Sequence, residues 1–149
     1  MHTGDTAPDF TLLADDGSSF TLSTALTNGP VVLFFYPAAM TAGCTKESCH
    51  FRDMGVAYRA AGVQRVGISM DDVAKQSEFA TANQLDYPLL SDPNGAVAAQ
   101  FGVKRRFDFL KVRRTTFVIG TDRRIVDVIA SEVSMQVHAE RALEALTAR

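Results

Sequence analysis

Six apolar residues in a row, Val31-Val32-Leu33-Phe34-Phe35-Tyr36, stand between the breakers Gly29-Pro30 and Pro37. The run is short, continuous and rich in β-branched and aromatic side chains. An amphipathic strand alternates, and a helix needs more length. A run of this kind is therefore read as a strand buried on both faces, in the middle of a sheet with a covering layer on each side. That excludes a helical bundle and a sheet with one face in water.

The neighbouring segments supply the layers. Residues 9–22 alternate on either side of the turn signal Asp15-Asp16-Gly17 and predict an N-terminal β-hairpin. A helix is expected from about Thr41–Cys44 to Ala61, with Gly62 as its stop. Strands follow at 63–69 and 87–91, and again at 115–119 and 125–130. A helix capped by an aspartate fits 71–84, with Val73, Phe79 and Ala80 as core contacts. A short helix fits 96–101 and an amphipathic closing helix 135–146. The order ββ–β–α–β–α–β–α–β–β–α calls for an α/β fold: a central mixed β-sheet flanked by helices on both faces. No repeat or linker interrupts it, so 1–149 reads as a single domain. At 46% hydrophobic, the chain needs no metal or disulfide staple to fold.

Charge and leader signals narrow the function. The formal net charge is −2, so overall basicity gives no reason to expect nucleic acid or an anionic membrane as partner. No apolar run nears the ~18 residues of a membrane span. The start lacks a basic region followed by an apolar stretch, so a cytoplasmic, reducing location is expected.

In that setting the two cysteines, Cys44 and Cys49, matter most, since a lone close pair is more often reactive or metal-binding than structural. Cys44 falls in the first turn of the helix after the buried strand. Free backbone N–H groups and the positive end of the helix dipole favour a thiolate there, the nucleophilic form. Gly43 opens the backbone to a small substrate, and the Thr41 hydroxyl lies within reach of the sulfur or a bound oxygen. The plainer alternative makes Cys44 a small buried hydrophobe and Thr41 a helix cap.

The same residues carry a resemblance. Pro37-x-x-x-Thr41-x-x-Cys44 resembles the active-site signature of peroxiredoxins, and Gly43-Cys44-Thr45-x-x-x-Cys49 resembles their bacterioferritin-comigratory-protein, or Prx Q, branch. Gly4 to Leu12, Phe51-Arg52-Asp53, Tyr87 to Asp92 and Arg114 to Ile119 extend the similarity over nearly the whole chain. The resemblance implies a thioredoxin-like fold, which the element order fits. It implies a thiol-dependent peroxidase acting on hydrogen peroxide and organic hydroperoxides without a cofactor or metal. Cys44 would attack the peroxide and become a sulfenic acid. Thr41 would hydrogen-bond the peroxide, and Pro37 would shield the sulfur. Arg114 would add a fixed positive charge that favours the thiolate and polarises the O–O bond. Cys49 would resolve the sulfenic acid as an intramolecular disulfide, recycled by thioredoxin or a similar dithiol. Such a bond needs no partner chain, so a monomer or weak homodimer is expected.

Several residues keep a second interpretation. Arg114 also reads as a surface cation, Cys49 as core, and Glu47 as one of a solvated helix-face pair with Arg52. In a helix, residues five apart have Cα atoms roughly 8.7 Å apart, against the 4.4–6.8 Å or so of a disulfide. The Cys44–Cys49 bond therefore requires the helix between them to melt. A non-enzymatic copper- or metal-binding module using Cys44, Cys49 and a histidine is the competing class. Such modules usually have a shorter Cys spacing and are exported. His138 reads as a solvated surface histidine. Lys104 to Arg114 holds six basic residues and one acidic one, and reads as a basic loop over the site.

Overall fold

The structure, a computed structural model, describes residues 1–105 and 111–147. The buried run forms β3 (Val31–Phe35), with every residue buried. It pairs in parallel with β4 (Gln64–Ser69) and antiparallel with β6 (Thr115–Ile119). Outside these lie β5 (Leu89–Ser91), β7 (Ile125–Ala130) and the hairpin strands β1 (Thr11–Ala14) and β2 (Ser19–Thr21). Among the described residues they make one seven-stranded mixed sheet in the order β2-β1-β5-β4-β3-β6-β7.

Alternation along β3 divides the core. Val31, Leu33 and Phe35 join one apolar cluster with Leu22, Leu26, Val97 and Phe101. Val32, Phe34 and Tyr36 join the other, with Cys44, Phe51, Tyr58, Phe79 and Ala139. On the first face lie α1 (Leu22–Ala25) and α5 (Ala96–Gln100). On the second lie α2 (Ala42–Asp53), α3 (Gly55–Ala61), α4 (Val73–Ala82) and α6 (Gln136–Thr147). The arrangement is the thioredoxin-like fold that the resemblance implies and the element order fits.

Three local expectations change. Leu22 does not end the second hairpin strand. It starts α1, where burying its side chain fully outweighs extending the strand. The single long helix after Cys44 is two, broken at Met54 between α2 and α3. Val73 is only half-buried, whereas Gln76 on the same helix is fully buried, with its amide donating to Ser69 Oγ and the Leu90 carbonyl. The aspartate cap is Asp72, accepting from the Lys75 N–H at 2.8 Å. No helix among the described residues is long and apolar enough to cross a membrane.

Candidate active site

Strand β3 delivers the chain to Tyr36 and Pro37, both buried. A loop then turns it into α2. Met40 adopts the left-handed region, φ 68°, at a cost of roughly 1–2 kcal/mol for a non-glycine residue. Asp71 braces the loop by accepting from the Ala39 N–H at 2.7 Å and from Ser69 Oγ at 2.6 Å. Thr41 supplies the extended N-cap backbone of α2, but its hydroxyl makes no cap bond and donates to the Ala38 carbonyl at 2.8 Å. The side chain thus stays on the loop side of the helix start.

Cys44 is the third residue of α2 and fully buried, on the sheet side against the second cluster. Its sulfur receives the Arg114 Nη2–H at 3.1 Å. Arg114 lies just before β6, so a strand distant in sequence carries the charge to the helix start. It is 6% exposed, which removes the surface-cation alternative. The Glu132 carboxylate accepts its backbone N–H at 3.0 Å and Arg105 Nη2 at 3.1 Å. A Cβ on Gly43 would sit 3.3 Å from Arg114 Nη2. Gly43 therefore makes room for the guanidinium, where the sequence suggested room for a substrate.

Glu47 corrects the expectation of a solvated helix-face pair with Arg52. It is fully buried, with Oε1 accepting from Arg114 Nη1 at 2.7 Å. Arg52 pairs instead with Asp53 and with the Asn83 carbonyl. The signal was available: three residues after Cys44 on a helix is the same face, one turn on. Burial raises the Glu47 carboxyl from 4.5 to about 7, against the downward pull of Arg114. For Arg114, burial opposes the charge, but Glu47 and the Cys44 sulfur outweigh it and hold the guanidinium above its ordinary range.

His138 is likewise fully buried rather than solvated. Its spacing of four from buried Ala142 on α6 puts both on the core side. Nδ1 lies 2.8 Å from Thr116 Oγ1 and 3.6 Å from Glu47 Oε2, and Nε2 lies 2.9 Å from the Ser131 carbonyl. Burial pulls the imidazole below its usual range. Both ring nitrogens are thus committed to protein partners, which removes His138 as a metal ligand. Among the described residues no group of three His, Cys, Asp or Glu side chains is placed to hold a metal ion.

Cys49 is half-buried on the same unbroken helix as Cys44, and both thiols are free. Its sulfur lies 3.7 Å from Asn83 Oδ1, at the C-terminal end of α4. Of the basic stretch, residues 106–110 lie outside the described residues. At its flanks Lys104 and Val112 form an antiparallel bridge.

Residues 3–128 match the AhpC/TSA family model. The crystal structure of peroxidoxin BcpB from Mycobacterium tuberculosis superimposes with a TM-score of 0.95 at 57% identity, over 99% of this chain and 97% of that one. The bacterioferritin comigratory protein of Xanthomonas campestris, whose alkyl peroxide reduction activity is described, matches with a TM-score of 0.83 at 28% identity, over 93% and 90%. A chloroplastic peroxiredoxin Q of Oryza sativa subsp. japonica is 35% identical over 96% of this chain and 65% of its own length. With its fold and the Cys44 environment, these place the chain in the AhpC/TSA family, among the bacterioferritin-comigratory-protein or peroxiredoxin Q peroxiredoxins, thiol-dependent peroxidases.

Proposed function

We propose that this single-domain peroxidase reduces hydrogen peroxide and organic hydroperoxides through Cys44. The observation that carries the assignment is the Arg114 Nη2–H donated to Cys44 Sγ at 3.1 Å, at the N-terminus of α2. The cation pairs with the attacking thiolate and then with charge developing on the peroxide oxygens. The thiolate attacks the terminal oxygen, the O–O bond breaks, and sulfur takes up OH as a sulfenic acid. The released alkoxide or hydroxide takes a proton and leaves as alcohol or water. Thr41, at the loop end of the helix start, is the hydrogen-bond partner of the peroxide. Pro37, which has no N–H to donate, shields the sulfenic acid. The activity described for the Xanthomonas relative supports organic hydroperoxides as a substrate class.

Cys49 then displaces water from the sulfenic acid, giving a disulfide within the chain. Because α2 runs unbroken through both cysteines, this bond requires the helix to unwind between them. Unwinding gives up the Thr41–Thr45 backbone bond and the Arg114 contacts to Cys44 and Glu47. The Tyr87 hydroxyl on the Ser48 carbonyl, at 2.7 Å, holds the middle of the helix. Thioredoxin or a similar dithiol restores both thiols. The cycle needs no second chain and suits a monomer or weak homodimer in the cytoplasm.

A coupled assay with NADPH, thioredoxin and thioredoxin reductase tests the scheme. Turnover is expected for the wild type, none for Cys44→Ser, and single-cycle oxidation alone for Cys49→Ser. Turnover by Cys44→Ser refutes the Cys44 assignment, and full steady-state turnover by Cys49→Ser refutes the resolving step.

A further inference from the structure

Behind the Cys44–Arg114 contact lies a buried arrangement that the proposed chemistry does not use. Glu47 Oε2 is enclosed and has no hydrogen-bond partner. Its polar neighbour is His138 Nδ1 at 3.6 Å, and both side chains are fully buried. The Ser131 carbonyl can only accept, so His138 Nε2 carries a hydrogen. The neutral ring then presents Nδ1 as an acceptor toward the Thr116 hydroxyl and Glu47. The Thr116 hydroxyl occupies that lone pair at 2.8 Å, and 3.6 Å is beyond hydrogen-bond range, so a charged Oε2 is enclosed without a donor and is unfavourable unless it carries the proton itself.

We propose that Glu47 and His138 form a coupled pair that holds one proton, chiefly at Glu47 Oε2, and that this proton governs how much of the Arg114 charge is available to Cys44. His138, on the C-terminal helix, is then a positioning residue for the reaction, acting through Glu47. With the proton in place Glu47 is neutral, and the guanidinium is left to the sulfur. Once the proton is lost, a carboxylate 2.7 Å from Nη1 competes with Cys44 for the same cation. The upward shift of Glu47 and the downward shift of His138 agree with a proton held mainly on the carboxyl. The other charged and titratable groups around the pair are Cys44 on α2, Arg114 at the start of β6, Glu132 before α6, and Arg141 on α6, with the neutral Tyr87 hydroxyl beyond. None of them has a hydrogen-bond contact to Oε2.

The inference rests on Cys44 being the attacking thiol, and its test does not need peroxide. Iodoacetamide alkylation of Cys44 is followed by peptide mass spectrometry between about pH 5 and pH 9, where coupled groups near neutrality titrate. The wild type is expected to show an inflection near neutrality in addition to that of the thiol. In Glu47→Gln that inflection is lost. His138→Asn keeps an acceptor near Nδ1, and His138→Gln keeps a donor toward Ser131; in both it moves by about one pH unit. In the wild type the His138 Nδ1 resonance, read by ¹⁵N NMR, moves through the same range, and in Glu47→Gln it does not. That second measurement stands even if the His138 variants do not fold. A His138 resonance indifferent to Glu47, or His138 variants with the wild-type profile, overturns the coupled pair. An intact coupled profile in a chain that forms no sulfenic acid at Cys44 supports the coupled pair and overturns the proposed chemistry instead.

Discussion

The two faces of β3 are both buried, yet they are built on different terms. Behind Val31, Leu33 and Phe35 the packing is almost wholly apolar, with Phe35, Phe101 and Phe117 in mutual ring contact at 5.1–5.8 Å. Behind Val32, Phe34 and Tyr36 the core also holds Glu47, Gln76, Arg114, Thr116 and His138. Each buried polar group there is costly unless paired, and most are paired with one another. Phe34 and Phe51, stacked with centroids 4.1 Å apart, anchor the C-terminal half of α2. The polar network surrounds its N-terminal half. One face is thus almost all packing while the other also holds a polar network, and α2 is apolar toward its C-terminal half and polar at the end where the proposed chemistry takes place.

Substitutions on the two faces break or sharpen this contrast. The largest effect is on the second face, where Cys44→Ser is expected to abolish peroxide reduction with the fold intact by circular dichroism. Phe117→Ala on the first face is expected to cost about 3–5 kcal/mol in urea unfolding. The rate of Cys44 with peroxide, per folded molecule, should stay unchanged. A large loss of that rate would erase the division between faces. Arg114→Lys keeps the charge but loses the planar fork that reaches Cys44 and Glu47 together. Stopped-flow oxidation is expected to slow by roughly 10²-fold.

The smallest effect is in the pH dependence of stability. The Glu47 carboxyl is raised from 4.5 to about 7 in the folded protein. The folded state therefore holds this proton longer, and stability from this group falls as pH rises from 4.5 to about 7. His138 is lowered from 6.5, so its contribution has the opposite sign and is lost as pH falls below 6.5. Glu47→Gln removes the first slope, and with it the coupling to His138. The unfolding free energy of the variant, from urea titrations, should gain on the wild type by about 2–3 kcal/mol across that interval. A constant difference would contradict the assignment.

The amino-acid sequence made the frame legible because its periods were unmistakable. Val31–Tyr36 could only be an interior strand, and β6 and β7 fall where their apolar residues do. Local stops were harder. Gly55 stands beside the break at Met54, but an isolated glycine inside a helical pattern is tolerated and does not by itself mark a stop. That Cys44 and Arg114 meet was legible through motif and position. Glu47 and His138 were misjudged for one reason: charged and imidazole side chains are usually solvated, and burial is earned here by partners from other elements. Arg114 and Thr116 lie 67 and 22 positions away, and Ser131, seven before His138, lies outside α6, so no helical period pairs them.

The central claim is that Cys44, gripped by Arg114, is the thiol that peroxide oxidises. The direct measurement treats Cys49→Ser with one equivalent of hydrogen peroxide in the presence of dimedone, then maps the adduct by peptide mass spectrometry. The account predicts a single adduct on Cys44, largely lost in the Arg114→Lys, Cys49→Ser double variant. A Cys44 left unmodified in folded protein, or one modified equally well without Arg114, would contradict it.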